Sequence, residues 1–203
     1  QRAQHVFGQV DLGRQFAQVL AEQAGSLRST LVTIDVATGE RRELAGDSAH
    51  EYDSPRISPD GATVAFTVRD LSTPDEPGDV WLALAPVTGG PVRALTAGWD
   101  RRPGPVRWTP DGAALIVPAD DDGRAPLWRV DTTTGAVTRL TPDHGFYYDA
   151  HVAPDGQWAY ALRSAIDSPP APVRVSLTGD AAVEFLRGPA EAPQLPGRLE
   201  EVE

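Results

Sequence analysis

The chain has 203 residues, enough to bury a core as one domain or two small ones. Its 18 basic residues against 29 acidic ones give a net charge of −11. No basic run is longer than the pair Arg101-Arg102, so no nucleic-acid partner is expected. Cysteine is absent, which excludes disulfides, a thiol nucleophile and thiolate metal sites while leaving the redox compartment open. No apolar run reaches the roughly 18 residues of a membrane span, and no signal peptide opens the chain. A membrane partner is therefore not expected. Every basic residue is Arg, and Lys, Asn and Met are missing. That usage suggests a GC-rich bacterial gene, with the cytoplasm as the favoured setting and the compartment otherwise unknown. Without Met, Gln1 is expected to be an internal or processed position rather than a translation start.

Two turn marks recur along the sequence. The first is x-Pro-Asp-Gly at Ser58-Pro59-Asp60-Gly61, Thr109-Pro110-Asp111-Gly112 and Ala153-Pro154-Asp155-Gly156. Pro presets φ, Asp caps the turn and Gly takes the positive φ. The second is Thr-Gly at Thr38-Gly39, Thr88-Gly89, Thr134-Gly135 and Thr178-Gly179. In chain order, Val10-Asp11-Leu12-Gly13 reads as a degenerate first mark. A strand over 16–23 follows, chosen over a short helix because the repeat register demands it. Strands over 31–36 and 41–44 flank the first Thr-Gly. The second unit places strands over 62–68, 79–84 and 92–95, and the third over 113–117, 126–130 and 137–140. The fourth places them over 157–162 and 182–186. Each unit thus reads strand a, first mark, strand b, loop, strand c, Thr-Gly, strand d. Four units of about 44–51 residues fit propeller blades better than helical repeats. The expected fold is all-β, with about four four-stranded antiparallel meanders.

Ser58-Pro59-Asp60-Gly61-Ala62-Thr63-Val64-Ala65-Phe66 followed by Gly78-Asp79-Val80-Trp81-Leu82 resembles a WD-like propeller repeat. Leu127-Trp128-Arg129-Val130-Asp131, running through Thr134-Gly135 to Arg139-Leu140-Thr141, repeats it. Such blades resemble those of the Tol-system propeller and of the prolyl oligopeptidase family of serine peptidases. Within that family they are most similar to dipeptidyl-peptidase IV-like and acylaminoacyl-peptidase-like members. The tail from Pro193 to Glu203 breaks the repeat and resembles the connector into an α/β-hydrolase domain. The resemblance implies blades over 1–190, a connector over 191–203, and a seven- or eight-bladed propeller in the parent. It also implies a C-terminal hydrolase domain of the same parent chain as partner, peptide substrates, and no cofactor. The acidic pair that holds the substrate amino terminus in dipeptidyl peptidases is not carried over to Glu200-Glu201, which lies in the connector. Aminopeptidase, dipeptidase and endopeptidase specificities stay open.

No Gly-x-Ser-x-Gly nucleophile elbow occurs; the nearest string, Gly46-Asp47-Ser48-Ala49-His50, reads as a loop between blades. Catalytic residues are therefore expected outside this chain. Asp120-Asp121-Asp122-Gly123 lacks calcium-loop spacing and reads as a solvated b–c turn. Asp143-His144 and Asp149-x-His151 lack a third metal ligand, so no metal site is assigned. Trp81, Trp108, Trp128 and Trp158 are expected in the core, and Trp99 in an exposed loop available to a partner. Strand a lies nearest a propeller's axis. Counting four back from each turn Asp gives Arg56, Arg107 and His151, candidates for lining a substrate channel. Glu51, Asp53, Asp100, Arg102, Tyr147, Tyr148 and Asp149 lie just upstream as a mixed ring. Two functions follow: a non-catalytic segment gating peptide access to a hydrolase domain, or a Tol-like or WD-type scaffold that binds a protein.

Overall fold

The computed structural model describes residues 4–6, 17–23, 29–71, 75, 77–179 and 182–188. Gly13 and the proposed connector over 191–203 fall outside them. The described residues form sixteen strands and no helix. They assemble into four antiparallel sheets of four strands. In the first, β1(Gln4–Val6), β2(Ala17–Gln23), β3(Ser29–Asp35) and β4(Arg41–Ala45) lie in chain order. The second holds β5(His50–Ile57), β6(Thr63–Asp70), β7(Val80–Pro86) and β8(Arg93–Ala94). The third holds β9(Arg107–Trp108), β10(Ala114–Pro118), β11(Leu127–Asp131) and β12(Val137–Arg139). The fourth holds β13(Phe146–Val152), β14(Trp158–Ala165), β15(Ser168–Ser176) and β16(Val183–Phe185). Every unit is the meander that the turn marks predict. Residues 17–23 are strand, as the register required. In the fourth unit β15 is a strand that the sequence reading left without limits.

The marks work as their chemistry dictates. Gly61, Gly112 and Gly156 adopt φ of 75°, 70° and 70° between strands a and b. In the first two of these turns the hydroxyl before Pro donates to the turn Asp: Ser58 to Asp60 at 2.5 Å and Thr109 to Asp111 at 2.6 Å. The same Oγ then accepts the N–H of Thr63 or Ala114 at 2.9 Å. At the ends of the fourth strands, the buried hydroxyls of Thr96 and Thr141 accept the N–H of Leu82 and Leu127, tying strand d to strand c.

Neighbouring sheets share three apolar clusters, because strand residues alternate between the two faces. Val64, Phe66 and Val68 of β6 pack with Leu31, Leu44 and Ala45 of the first sheet. Ala65, on the opposite face, joins Leu82, Leu84 and Leu95 against Val106, Leu115, Val117 and Val130 of the third. Ile116, Leu127 and Leu140 close on Tyr147, Ala159, Ala161, Val173 and Val175 of the fourth. Equivalent positions thus face the preceding sheet (Val64, Leu115, Ala159) or the following one (Ala65, Ile116). Polar ties reinforce the stack. Arg42 Nη1 donates to Thr88 O at 2.5 Å, and Arg93 reaches the carbonyl of Thr132 across the next interface.

The tryptophans are half-buried rather than fully enclosed. Trp99, expected to be exposed, packs edge-on against Trp128 with centroids 5.4 Å apart and joins the cluster between the second and third sheets. An indole in a loop gains more by covering a neighbouring sheet edge than by meeting water.

Candidate functional site

Strand a is the first edge of each sheet, and two features shape it. In β5 the pairing with β6 skips from Asp53 to Arg56, and in β13 the pairing with β14 skips from Tyr148 to His151. Ser54 and Asp149, at equivalent positions in these bulges, adopt φ of 52° and 50°. A bulge adds one residue and flips the alternation behind it. As a result Glu51, Asp53 and Arg56 stand opposite Arg69, Thr67 and Ala65, on one face of the second sheet. Phe146, Tyr148 and His151 likewise stand opposite Ser164, Leu162 and Tyr160, on one face of the fourth. In the third unit Pro105 occupies the bulge position and cannot take a positive φ, and β9 is cut to two residues.

The bulge corrects the reading of Tyr147. Its side chain is 0% exposed, and its hydroxyl donates to Asp143 at 2.6 Å, so it presents no surface to a channel. Burial and the Asp143 carboxylate push its phenol pKa upward. Tyr52 is its equivalent in the second unit, buried and bonded to Asp47 at 2.8 Å. Burial opposes ionisation of Asp47, yet bonds from His50, Tyr52 and the N–H groups of Ala49 and His50 hold its pKa well below the usual carboxylate range. A Tyr anchored to an Asp four or five residues upstream is a repeated device, marked in the sequence only by that spacing.

Arg56 and Arg107 occupy one repeat position on neighbouring sheets, opposite Ala65 and Ile116. The Trp108 indole N–H donates to Arg56 O at 2.9 Å and ties the two edge strands together. Each guanidinium folds back on the preceding carbonyl, Arg56 on Pro55 O at 2.8 Å and Arg107 on Val106 O at 3.0 Å. Burial, then the charge of Arg107, lowers the pKa of Arg56, while Asp53 opposes that shift. Asp53 itself is exposed and accepts the Ser54 N–H at 2.6 Å. His151 is exposed, with Nε2 3.0 Å from Asp149 Oδ1.

Arg102 and Asp100 line an open cleft of about 480 Å³ with Arg101 and the three consecutive aspartates Asp120, Asp121 and Asp122. Asp121 is not the solvated turn residue expected. Its side chain is 17% exposed, and it joins Arg101 Nη2 at 2.7 Å to Arg139 Nη1 at 2.9 Å. Asp143, weighed for a metal with His144, directs its oxygens to Tyr147 and to Arg163 Nε at 2.7 Å. His50 spans Asp47 at 2.8 Å and Asp70 at 3.4 Å at the start of β5, so Ser48 and His50 do not form a strand-to-helix elbow.

Four consecutive antiparallel four-stranded meanders, each stacked on the next, are blades of a β-propeller. Comparisons with known proteins agree. The chain is similar in fold to TolB from Acinetobacter baumannii, with a TM-score of 0.61 and 23% identity over 85% of this chain and 40% of that one. It is similar also to a prolyl endopeptidase structure, with a TM-score of 0.63 and 15% identity over 91% of this chain and 30% of that one. In sequence it is 35% identical over 91 residues to dipeptidyl-peptidase 5 of Aspergillus fumigatus, a stretch covering 44% of this chain and 12% of that protein. An uncharacterised protein of Agrobacterium fabrum is 32% identical over 134 residues, covering 59% of this chain and 42% of that protein. The chain therefore spans under half the length of the curated relatives it matches. No family model matches it.

Proposed function

We propose that these blades belong to a serine peptidase of the prolyl oligopeptidase type. They screen peptides on the way to a hydrolase domain elsewhere in the parent chain, within a propeller of seven or eight blades. The observation that carries the reading is the 35% identity to a stretch of dipeptidyl-peptidase 5. The arrangement of Arg56, Arg107, His151, Glu51 and Asp53 on the edge strands supports it, since charges along a narrow passage sort peptides by size and sign before chemistry begins. The test is a panel of peptides of differing charge, assayed on the intact parent and on its Arg56→Ala/Arg107→Ala variant. Gating predicts unequal changes in kcat/KM across the panel while the acyl-transfer step is retained. Equal kcat/KM for every peptide in both proteins would overturn the gating role, and a parent without Gly-x-Ser-x-Gly would overturn the peptidase.

The likeness to TolB favours a second reading, a scaffold whose face holds a protein partner. A parent with a secretion signal and no nucleophile elbow is its expected form.

A further inference from the structure

His50 opens β5 with a carboxylate on each ring nitrogen. Nδ1 lies 2.8 Å from Asp47, in the loop after the first sheet, and Nε2 lies 3.4 Å from Asp70, its cross-strand partner at the end of β6. A neutral imidazole has one N–H and cannot donate to both, whereas an imidazolium has two. The Tyr52 hydroxyl donates to the same Asp47 at 2.8 Å, and the charge of Glu43 on β4 acts on Tyr52. Trp81 of β7 meets the imidazole at right angles, with centroids 5.6 Å apart. Asp70 also accepts the Asp79 N–H at 3.3 Å, just before β7. Glu51 and Arg69, the next pair along, stand on the opposite face of the sheet. Beside the ring, the Leu71 N–H donates to Ala49 O at 3.0 Å and joins the same two segments through backbone. The fourth blade repeats the device with a permanent cation: Asp143 accepts the Tyr147 hydroxyl at 2.6 Å and Arg163 Nε at 2.7 Å.

We propose that His50 is a pH-sensitive clasp, tying the loop between the first two blades to the end of β6. In its charged form each nitrogen donates to one carboxylate, and an imidazole changes charge between about pH 5 and pH 8. Carboxylates ordinarily stay ionised over that range. When the proton leaves, the shorter contact keeps the remaining N–H on Nδ1, and the Nε2 lone pair is left facing the Asp70 carboxylate. Two acceptors repel, so Asp70 turns to water and its end of β6 loosens. The clasp is closed on the acid side and opens as pH rises through the titration of the ring. A guanidinium keeps its charge throughout, so the tie between Arg163 and Asp143 persists in the fourth blade. The inference concerns these blades alone and stands whether or not they screen peptides.

The test follows amide exchange and the imidazole nitrogen resonances of the 203-residue chain by NMR between about pH 5 and pH 8. Corrected for its intrinsic exchange rate, the Leu71 N–H should be about threefold better protected at the acid end, the scale of a part-exposed ion pair. The Tyr147 N–H, bonded to Ala125 O beside Asp143, should keep its protection throughout. Asp70→Asn and His50→Gln should each abolish the dependence at Leu71. Both ring nitrogens of His50 should carry protons in acid, and Nδ1 alone at the alkaline end. Equal protection of Leu71 at both ends overturns the proposal, as does a dependence that either variant retains. A neutral ring with its proton on Nε2 overturns it too, because the contact with Asp70 would then survive. Should a variant not fold, the ring-nitrogen resonances of the unaltered chain decide.

Discussion

Asp111 sits in an exposed turn, yet its carboxylate is the hub of that turn. The Thr109 hydroxyl, first, and the Ala113 N–H hold its pKa below the ordinary value, and Ser58 with Ala62 does the same for Asp60. A carboxylate with a depressed folded pKa contributes stability that is complete above its unfolded value, about 3.9. That contribution disappears as pH falls through the lower folded value. Replacing Asp111 by Asn should therefore reduce the loss of stability below about pH 4, measured as urea midpoints against pH. An unchanged acid limb would show that the turn holds without its carboxylate. Ser54 and Asp149 make a different point at this scale: non-glycine residues at positive φ are uncommon, and two at one repeat position mark a built bulge rather than an accident.

Gly112 and Gly135 share nearly the same φ, 70° and 76°, but serve different elements. Nothing lies within 4 Å of a Cβ built on Gly112, whereas one on Gly135 would collide with the carbonyl oxygen of Leu95. The Thr-Gly turn of the third blade is thus pressed against the fourth strand of the second. Gly112→Ala carries only the backbone cost, about 1–2 kcal/mol. Gly135→Ala should exceed it by a further 1–3 kcal/mol or so, because the interface must part. Denaturant unfolding of both variants checks this, and equal losses would mean that the blades separate there without cost. At this scale most of the fold was legible: glycine at a forced φ and period-2 apolar runs leave few alternatives to a meander. The site was less legible. Position just upstream of His151 puts Tyr147 and Tyr148 alike in the channel ring, and only the bulge, which no glycine announces, separates their faces. Arg56 and Arg107 were found because Ile57 and Trp108 follow them without a bulge before the first turn mark. The Asp121 bridge is not legible in the sequence because its partners, Arg101 and Arg139, approach from the loop before β9 and from β12.

Across the whole molecule the packing is a one-dimensional series. The cluster between the first and second blades shares no member with the one between the third and fourth. Stability should then behave as a sum over nearest neighbours. Leu31→Ala and Val175→Ala, at opposite ends of the series, should add to within about 0.5 kcal/mol in a double variant. Leu84→Ala and Leu115→Ala line one interface and should depart from additivity by more than that. Coupling of equal size in both pairs, measured by denaturant titration, would show a core that spans the blades. The alternation of faces also bears on how such a gene can be rearranged. Recombination between the codons for Gly61 and Gly112 would excise β6 to β9, one blade's length, and leave β5 in the place of β9. It would bring Leu115, which looks backward, against the forward-looking face of the first sheet. A crossover out of step with the turn glycines would instead leave an unmatched strand and two faces of the same sense opposed. Blades of this kind can therefore be gained or lost as whole cassettes, with the glycine codons as their natural borders.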